Sequence, residues 1–358
     1  MKIELEYWIF ELLRMEENVV LFYHHDSDQF LSLFNSNDIL KVDLLDGMLD
    51  ELTLNKFPNL SDRFSLDFSR KRNELLSEKV TRVNGVWIYY PWRKNLVRIL
   101  DEEDFVFLRT IRNRDKITEE EQNSLLNKTI GIVGLSVGYS VLMSIALERI
   151  AGTIRIADFD TLDLSNLNRI FHSIFDLESN KAVIAKRKVL ELDPYLKVEI
   201  FNDGVSGDNI DYFFDNEKGK LDLVIDECDN GFIKLLIREQ AREKSVPVVM
   251  ETSDRSVLDI ERYDLDPNYP LLHGMLEGID RNILTSRDVL MRCIDFSKVS
   301  ERGRLSMSKV GTELRSWPQL ASDVIIGGGS ACAAARKILL GQSLKSQRIY
   351  FDIESQIS

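Results

Sequence analysis

The chain has 358 residues, 44% hydrophobic and 29% charged, enough for two domains with sizeable cores and no need of covalent staples. Its formal net charge of −13 argues against a nucleic-acid or anionic-membrane surface. Three widely spaced cysteines, Cys228, Cys293 and Cys332, exclude a disulfide framework and a four-ligand zinc site, so no zinc is expected and a reducing, cytoplasmic setting is. No run of about 18 apolar residues suggests a membrane span, and the charged start does not read as a secretory signal.

Residues 1–105 read as a separate α+β region. Ile3 to Met15 has amphipathic spacing, Asn18 to Tyr23 reads as a short strand, and Asp38 to Leu52 and Asp62 to Glu78 read as helices. Gly85 to Tyr90 is a strand stopped by Pro91, with Leu96 to Leu100 as its partner. An accessory domain and a substrate-recognition module, holding a peptide on an exposed edge strand, both fit this pattern. From Asp101 to Arg114 the acids come first and the arginines last, the order a helix macrodipole favours.

The stretch from Thr129 to Arg169 organises the remainder. Lys128 to Val133 is an apolar strand feeding the turn Gly134-Leu-Ser-Val-Gly138, Tyr139 to Ile150 has helical spacing, and Thr153 to Ala157 is a second strand. In a doubly wound sheet ligands sit beyond the carboxyl ends of the strands. A glycine turn before a helix brings backbone amides and a favourable dipole to phosphate, and an acid about 20 residues on suits ribose hydroxyls. Asp158 stands at that place, although acids at strand ends also cap turns. Asn166 and Arg169 then offer an amide and a bidentate cation, with an Asx-type loop as the bland alternative.

Ser179 is the expected N-cap of a helix running to Leu192. Lys181 in its first turn opposes the dipole, as a lysine would if its partner were a phosphate. Leu196 to Phe201 and Leu221 to Ile225 are further strands around a polar helix near 206–216, and the second ends in Asp226-Glu-Cys-Asp-Asn230. Clustered carboxylates there suit Mg²⁺, or else they form the N-terminal cluster of a helix from Phe232 to Lys244. Val246 to Met250 is another buried strand, and Glu251 to Arg255 rims the same crevice. Asp259 to Asp266 alternates like a strand, while His273 reads as structural. Helices dominate from Ser286, the clearest from Ala321 to Gly341, with Gly327-Gly-Gly329 read as a loop-to-helix entry or a close approach to a neighbour. The residues after Lys345 read as a tail, a strand or the beginning of a further element.

Asp158-Phe-Asp-Thr-Leu-Asp-Leu-Ser-Asn-Leu-Asn-Arg169, then Lys181, then Asp226-Glu-Cys-Asp-Asn230, resemble the ThiF/MoeB/ubiquitin-activating adenylyltransferases, and in part the subgroup related to ThiF–nitroreductase fusions. The resemblance covers roughly Arg109 to Leu340. It implies a Rossmann-like doubly wound α/β domain at 106–345, beside the α+β region at 1–105 and a tail at 346–358. It also implies ATP and Mg²⁺, a homodimer, and a ubiquitin-like protein or peptide whose C-terminal carboxylate is adenylated. Gly134, Ser136, Gly138, Asp158, Asp160, Asn166, Arg169 and Lys181 would hold the nucleotide, and Asp229 the metal. Arg114, a capping residue on the simplest reading, would reach the phosphates of a neighbouring copy. Arg114, Arg169, Lys181 and Asp229 would act in the reaction itself.

The family pattern has glycines where this chain has Ser136 and Tyr139, so a non-catalytic nucleotide- or protein-binding module is an alternative. Gly-x-Ser-x-Gly is also the nucleophile elbow of α/β-hydrolases, with Ser136, an acid at Asp226 or Asp229, and His273 in the required order. That reading leaves Asp158, Arg169 and Lys181 without a task.

Overall fold

A computed structural model describes residues 17–252, 255–280 and 283–357; the expected helix from Ile3 to Met15 lies outside them. The chain divides into two compact units, Met1–Glu119 with Asp193–Tyr195, and Glu120–Leu192 with Leu196–Ser358. None of the described helices is long and apolar enough to cross a membrane.

In the first unit β1 (Val20–Phe22), β2 (Leu40–Asp43), β3 (Val86–Tyr90) and β4 (Asn95–Ile99) form a sheet in the order β1-β3-β4-β2. Pro91 fixes the short turn between β3 and β4, and Lys94 closes it at φ +52°. The expected helix from Asp38 is corrected: Leu40–Asp43 pairs in parallel with β4, and the helix starts at Leu45. Leu45, Leu49 and Leu52 bury one stripe of that helix against Val86, Ile88 and Ile99.

The second unit is built on a seven-stranded sheet. β5 (Thr129–Val133), β6 (Thr153–Ala157), β7 (Lys197–Phe201), β10 (Leu223–Asp226) and β11 (Val248–Thr252) run parallel, and β12 (Val257–Glu261) and β13 (Gln347–Tyr350) extend it antiparallel. The small hairpin β8 (Asp215–Asn216) and β9 (Gly219–Lys220) stands apart, after a helix shorter than expected, Ile210–Phe214. The sheet order is β13-β12-β11-β10-β5-β6-β7. The chain therefore leaves β5 toward β6 and β7 and returns on the other side as β10, which makes β5/β10 the topological switch point. Of the readings open for the last segment, Gln347–Tyr350 takes the strand.

Register fixes what lies at that point. Val133 pairs with Ala157 on one side and Asp226 on the other, so Gly134, Asp158 and Glu227 emerge side by side. On one face Phe213, Phe214, Ile237 and Ala241 cover Val133, Val224 and Val248. Gly131 has no room for a side chain there, since a Cβ would stand 2.6 Å from Leu221 and 3.0 Å from Phe213. The Gly327-Gly-Gly329 run lies inside the Ala321–Leu339 helix and serves close approach: a Cβ on Gly328 would meet the Ser140 side chain at 2.3 Å. Glycine there costs helix propensity but lets the helix lie directly on Gly138–Glu148.

Candidate functional site

The glycine turn is shaped by the strand beside it. Gly134 adopts φ +89°, and a Cβ on it would stand 2.6 Å from the Glu227 carbonyl oxygen, so only glycine fits. Leu135 N–H donates to Asp158 Oδ2 at 2.6 Å and Asp160 N–H to Asp158 Oδ1 at 2.8 Å. One carboxylate thus ties the turn to the loop after β6. Burial pushes the Asp158 pKa up, against the Lys181 charge and those two amides.

Around this centre the expected residues converge. Lys181 Nζ, nearly buried, lies 2.9 Å from Oδ2 of the half-exposed Asp160. Arg169 Nη2 donates to Ser136 Oγ at 2.9 Å, and burial lowers its pKa. Its Nε is buried with no hydrogen-bond acceptor. Asn166 is buried and accepts from Asp163 N–H at 3.0 Å in a reciprocal cap of the 164–166 turn. Gly138 opens the next helix, where a Cβ would come within 3.2 Å of Glu227. Ser179 does not cap the following helix; Asn180 Oδ1 accepts from Ala182 and Val183 instead, and Lys181 is the first helical residue. The residue that raised doubt about the turn, Tyr139, has its ring buried 4.5 Å from that of His172, with its hydroxyl donating to the Phe171 carbonyl.

Two expected residues stand outside this contact network. Arg114 belongs to the first unit, half-exposed over the Phe107 ring and 3.9 Å from Glu119. Asp229 is exposed after β10. Asp226, another acid of the cluster considered there for a metal, is fully buried and taken: Arg238 Nη1 lies 2.5 Å from Oδ2 and Lys234 Nζ 3.2 Å from Oδ1. Asn230 caps the helix that follows, its Oδ1 accepting from Phe232 N–H, Ile233 N–H and the Ser286 hydroxyl. The hydrolase triad is not assembled, because Ser136 accepts from Arg169 whereas His273 contacts Asp259 and Tyr269. His273 and Leu272 both sit at positive φ.

A cavity of about 300 Å³ adjoins the turn, bounded by Val137 at one side and by Asp229, Glu227 and Glu251 at the sheet edge. Glu227 Oε1 accepts from Glu251 N–H at 2.8 Å. Glu251 is 3% exposed, and neither of its carboxyl oxygens has a hydrogen-bond donor. Burial first, then for Glu251 the neighbouring Glu227, pushes both acids well above the ordinary carboxylate range. Cys228 donates to Asp226 Oδ1 at 3.0 Å, and its pKa is raised by burial and by that acid, which disfavours a thiolate nucleophile. Sequence reasoning placed Glu251 on the crevice rim but missed Lys234 and Arg238. Their signal was present: two cations four apart on the same stripe as Ile237 and Ala241.

Residues 108–257 match the ThiF family. The chain is 40% identical over 322 residues to MT1398 of Mycobacterium tuberculosis (strain CDC 1551 / Oshkosh), an uncharacterized protein, covering 87% of this chain and 44% of that one. It is 34% identical over 130 residues to a probable molybdopterin-synthase adenylyltransferase of Porphyra purpurea, 36% of this chain and 33% of the relative. The chain thus spans less than half the length of these curated relatives. The crystal structure of PaaA superposes with a TM-score of 0.51 at 20% identity, over 79% of this chain and 95% of PaaA, which shows a shared fold. The glycine turn, the Asp158–Arg169 loop and strands β5 to β11 therefore lie in a ThiF-family domain, residues 108–257.

Proposed function

We propose that this chain uses ATP to adenylate a carboxylate, the C-terminus of a ubiquitin-like protein or peptide, with release of pyrophosphate. The observation that carries the reading is Arg169 on Ser136 of the Gly134–Gly138 turn, with a guanidinium nitrogen buried and unsatisfied, and Lys181 on Asp160 in the loop that Asp158 ties to that turn. The match of residues 108–257 to the ThiF family and the adenylyltransferase named among the relatives support it.

A carboxylate is ionised at neutral pH, so the attack on the α-phosphorus needs no general base. What the reaction needs is a triphosphate held still and neutralised. Arg169, oriented by Ser136, and Lys181, displaced from Asp160, supply charge-assisted bonds to phosphate oxygens. Asp158 and Asn166 hold the turn and the loop in register, and Asp158 together with Asp160 lies on the side where ribose hydroxyls fit. Asp229, an exposed carboxylate on the opposite side of the turn, suits Mg²⁺, which takes one or two protein carboxylates along with phosphates and water. Bound there, the ion would neutralise polyphosphate charge.

ATP–pyrophosphate exchange, run with a panel of peptides bearing free C-termini after ATP binding has been established, tests the reading. Carboxylate-dependent exchange supports it, and a protein that binds ATP yet exchanges with no acceptor contradicts it. Arg114 enters as a residue given to the neighbouring copy of a homodimer. If so, mixing Arg114→Ala with Lys181→Ala chains restores part of the exchange that each lacks alone; no restoration places Arg114 outside the site.

A further inference from the structure

Two ties join the glycine turn to the loop that carries Arg169. The first is Arg169 Nη2 on Ser136 Oγ, at 2.9 Å. The second comes from Tyr139, in the first turn of the Gly138–Glu148 helix, whose hydroxyl donates to the Phe171 carbonyl at 3.2 Å, just past Arg169 in the chain. Ser136 and Tyr139 are the two positions where the family pattern has glycine, so a chain that followed the pattern would have neither side chain to reach the loop.

The Tyr139 ring is buried and lies 4.5 Å from the His172 ring, at an interplanar angle of 44°. The His172 side chain is itself buried, with Nδ1 3.4 Å from Asp176 Oδ2, and the same oxygen accepts from Ser173 N–H at 3.1 Å. Burial raises the pKa of Tyr139 and lowers that of His172, so the hydroxyl keeps the proton it donates and the imidazole beside it stays neutral. Phe171, by contrast, is 92% exposed, and its side chain does not anchor the segment. Upstream the loop is pinned by the Asp163–Asn166 cap and by buried Ile170; beyond Ile170 it meets Tyr139.

We infer that Tyr139 is a positioning residue: through the Phe171 carbonyl and the His172 ring it fixes the segment after Arg169 before nucleotide arrives, so that the guanidinium is held beside Ser136 on the phosphate side of the turn. The inference rests on the proposed ATP site. A cation already held in its binding geometry has less side-chain freedom to lose when phosphate enters, and the saving appears as affinity.

Tyr139→Phe removes the hydroxyl and keeps the ring. ATP with Mg²⁺ is titrated into the unaltered chain, Tyr139→Phe, Arg169→Ala and the double variant. Tyr139→Phe should weaken ATP binding about 3- to 10-fold, the scale of one net hydrogen bond, and should add no further loss to Arg169→Ala. A role confined to the fold would give equal losses in both backgrounds; that result, or no loss in either, overturns the inference and leaves the ATP site standing. Hydrogen exchange on the full chain without nucleotide reads the tie separately. The amides of residues 170–173 should exchange faster in Tyr139→Phe, and unchanged exchange overturns the inference whatever the titrations show. No heat from the unaltered chain contradicts the adenylation reading. In that case, or if Arg169→Ala binds too weakly to titrate, the exchange result alone decides: faster exchange supports the tie and unchanged exchange sinks it.

Discussion

Asp226 and Glu227 are adjacent in sequence at the end of one strand, yet they belong to regions with opposite electrostatics. Asp226 faces the Gly231–Glu243 helix, where Arg238 bridges it to Glu261 and Lys234 stands close by. Despite complete burial, these cations hold its pKa down to about 2. Glu227 turns into the cavity and pairs with another acid, and burial raises it instead. The lesson is that burial alone does not set the charge of a carboxylate; the partner does. One region is a satisfied ionic brace beneath the sheet, and the other is an acid pair beside the candidate site in which the Glu251 oxygens have no partner.

The brace is expected to dominate stability. Arg238→Met leaves Asp226 and Glu261 buried without their shared cation, which should cost about 3–5 kcal/mol in urea unfolding. A loss below about 1 kcal/mol would show that Lys234 and Tyr263 suffice. Across the crevice the expected effect falls on function: Lys181→Ala should reduce pyrophosphate exchange about 10- to 100-fold, as for loss of a charged hydrogen bond of roughly 1.5–3 kcal/mol. Its urea midpoint should change little, because Asp160 is half-exposed and screens itself with water.

The acid pair sharpens the comparison through pH. Glu227 and Glu251 have folded pKa values raised above the ordinary 4.5, so the folded state holds protons that the unfolded chain releases. Their contribution is complete below about pH 4.5 and is lost as pH rises through the folded values, with a slope of up to about 1.4 kcal/mol per pH unit per group. Glu251→Gln should flatten the decline in unfolding free energy between pH 6 and pH 8; an unchanged slope contradicts the assignment. Asp226 acts in the other direction, its contribution being present above its ordinary 3.8 and lost as pH falls toward about 2. The smallest effect separates two neighbouring caps. Asn180→Ala should cost about 1 kcal/mol and Ser179→Ala close to nothing, which thermal melts of the two variants would resolve.

Much of the sheet was legible in the sequence because β5, β10 and β11 carry largely apolar runs, as strands buried on both faces do, and β6 interrupts its own only at Arg155. The cluster around Asp158 was legible because motif order and strand register agree. Other features were hidden for particular reasons. Leu40-Lys-Val-Asp43 is too short and too polar to stand out from the helix that follows, and it is a strand only because β4 pairs with it. Lys234 and Arg238 carry charges that usually mark a solvated face, and only the acids of β10 and β12 make their burial tolerable. The Gly138–Tyr139 step suggested a narrowed phosphate approach, but the tyrosine ring finds its place beside His172.

Isothermal titration of ATP with Mg²⁺ into the unaltered chain and into Arg169→Ala tests the central claim most directly. The account predicts one site per chain in the unaltered protein and affinity weakened at least tenfold in the variant, with the same thermal midpoint in the absence of nucleotide. Absence of heat from the unaltered chain, or equal affinity in both, would contradict it.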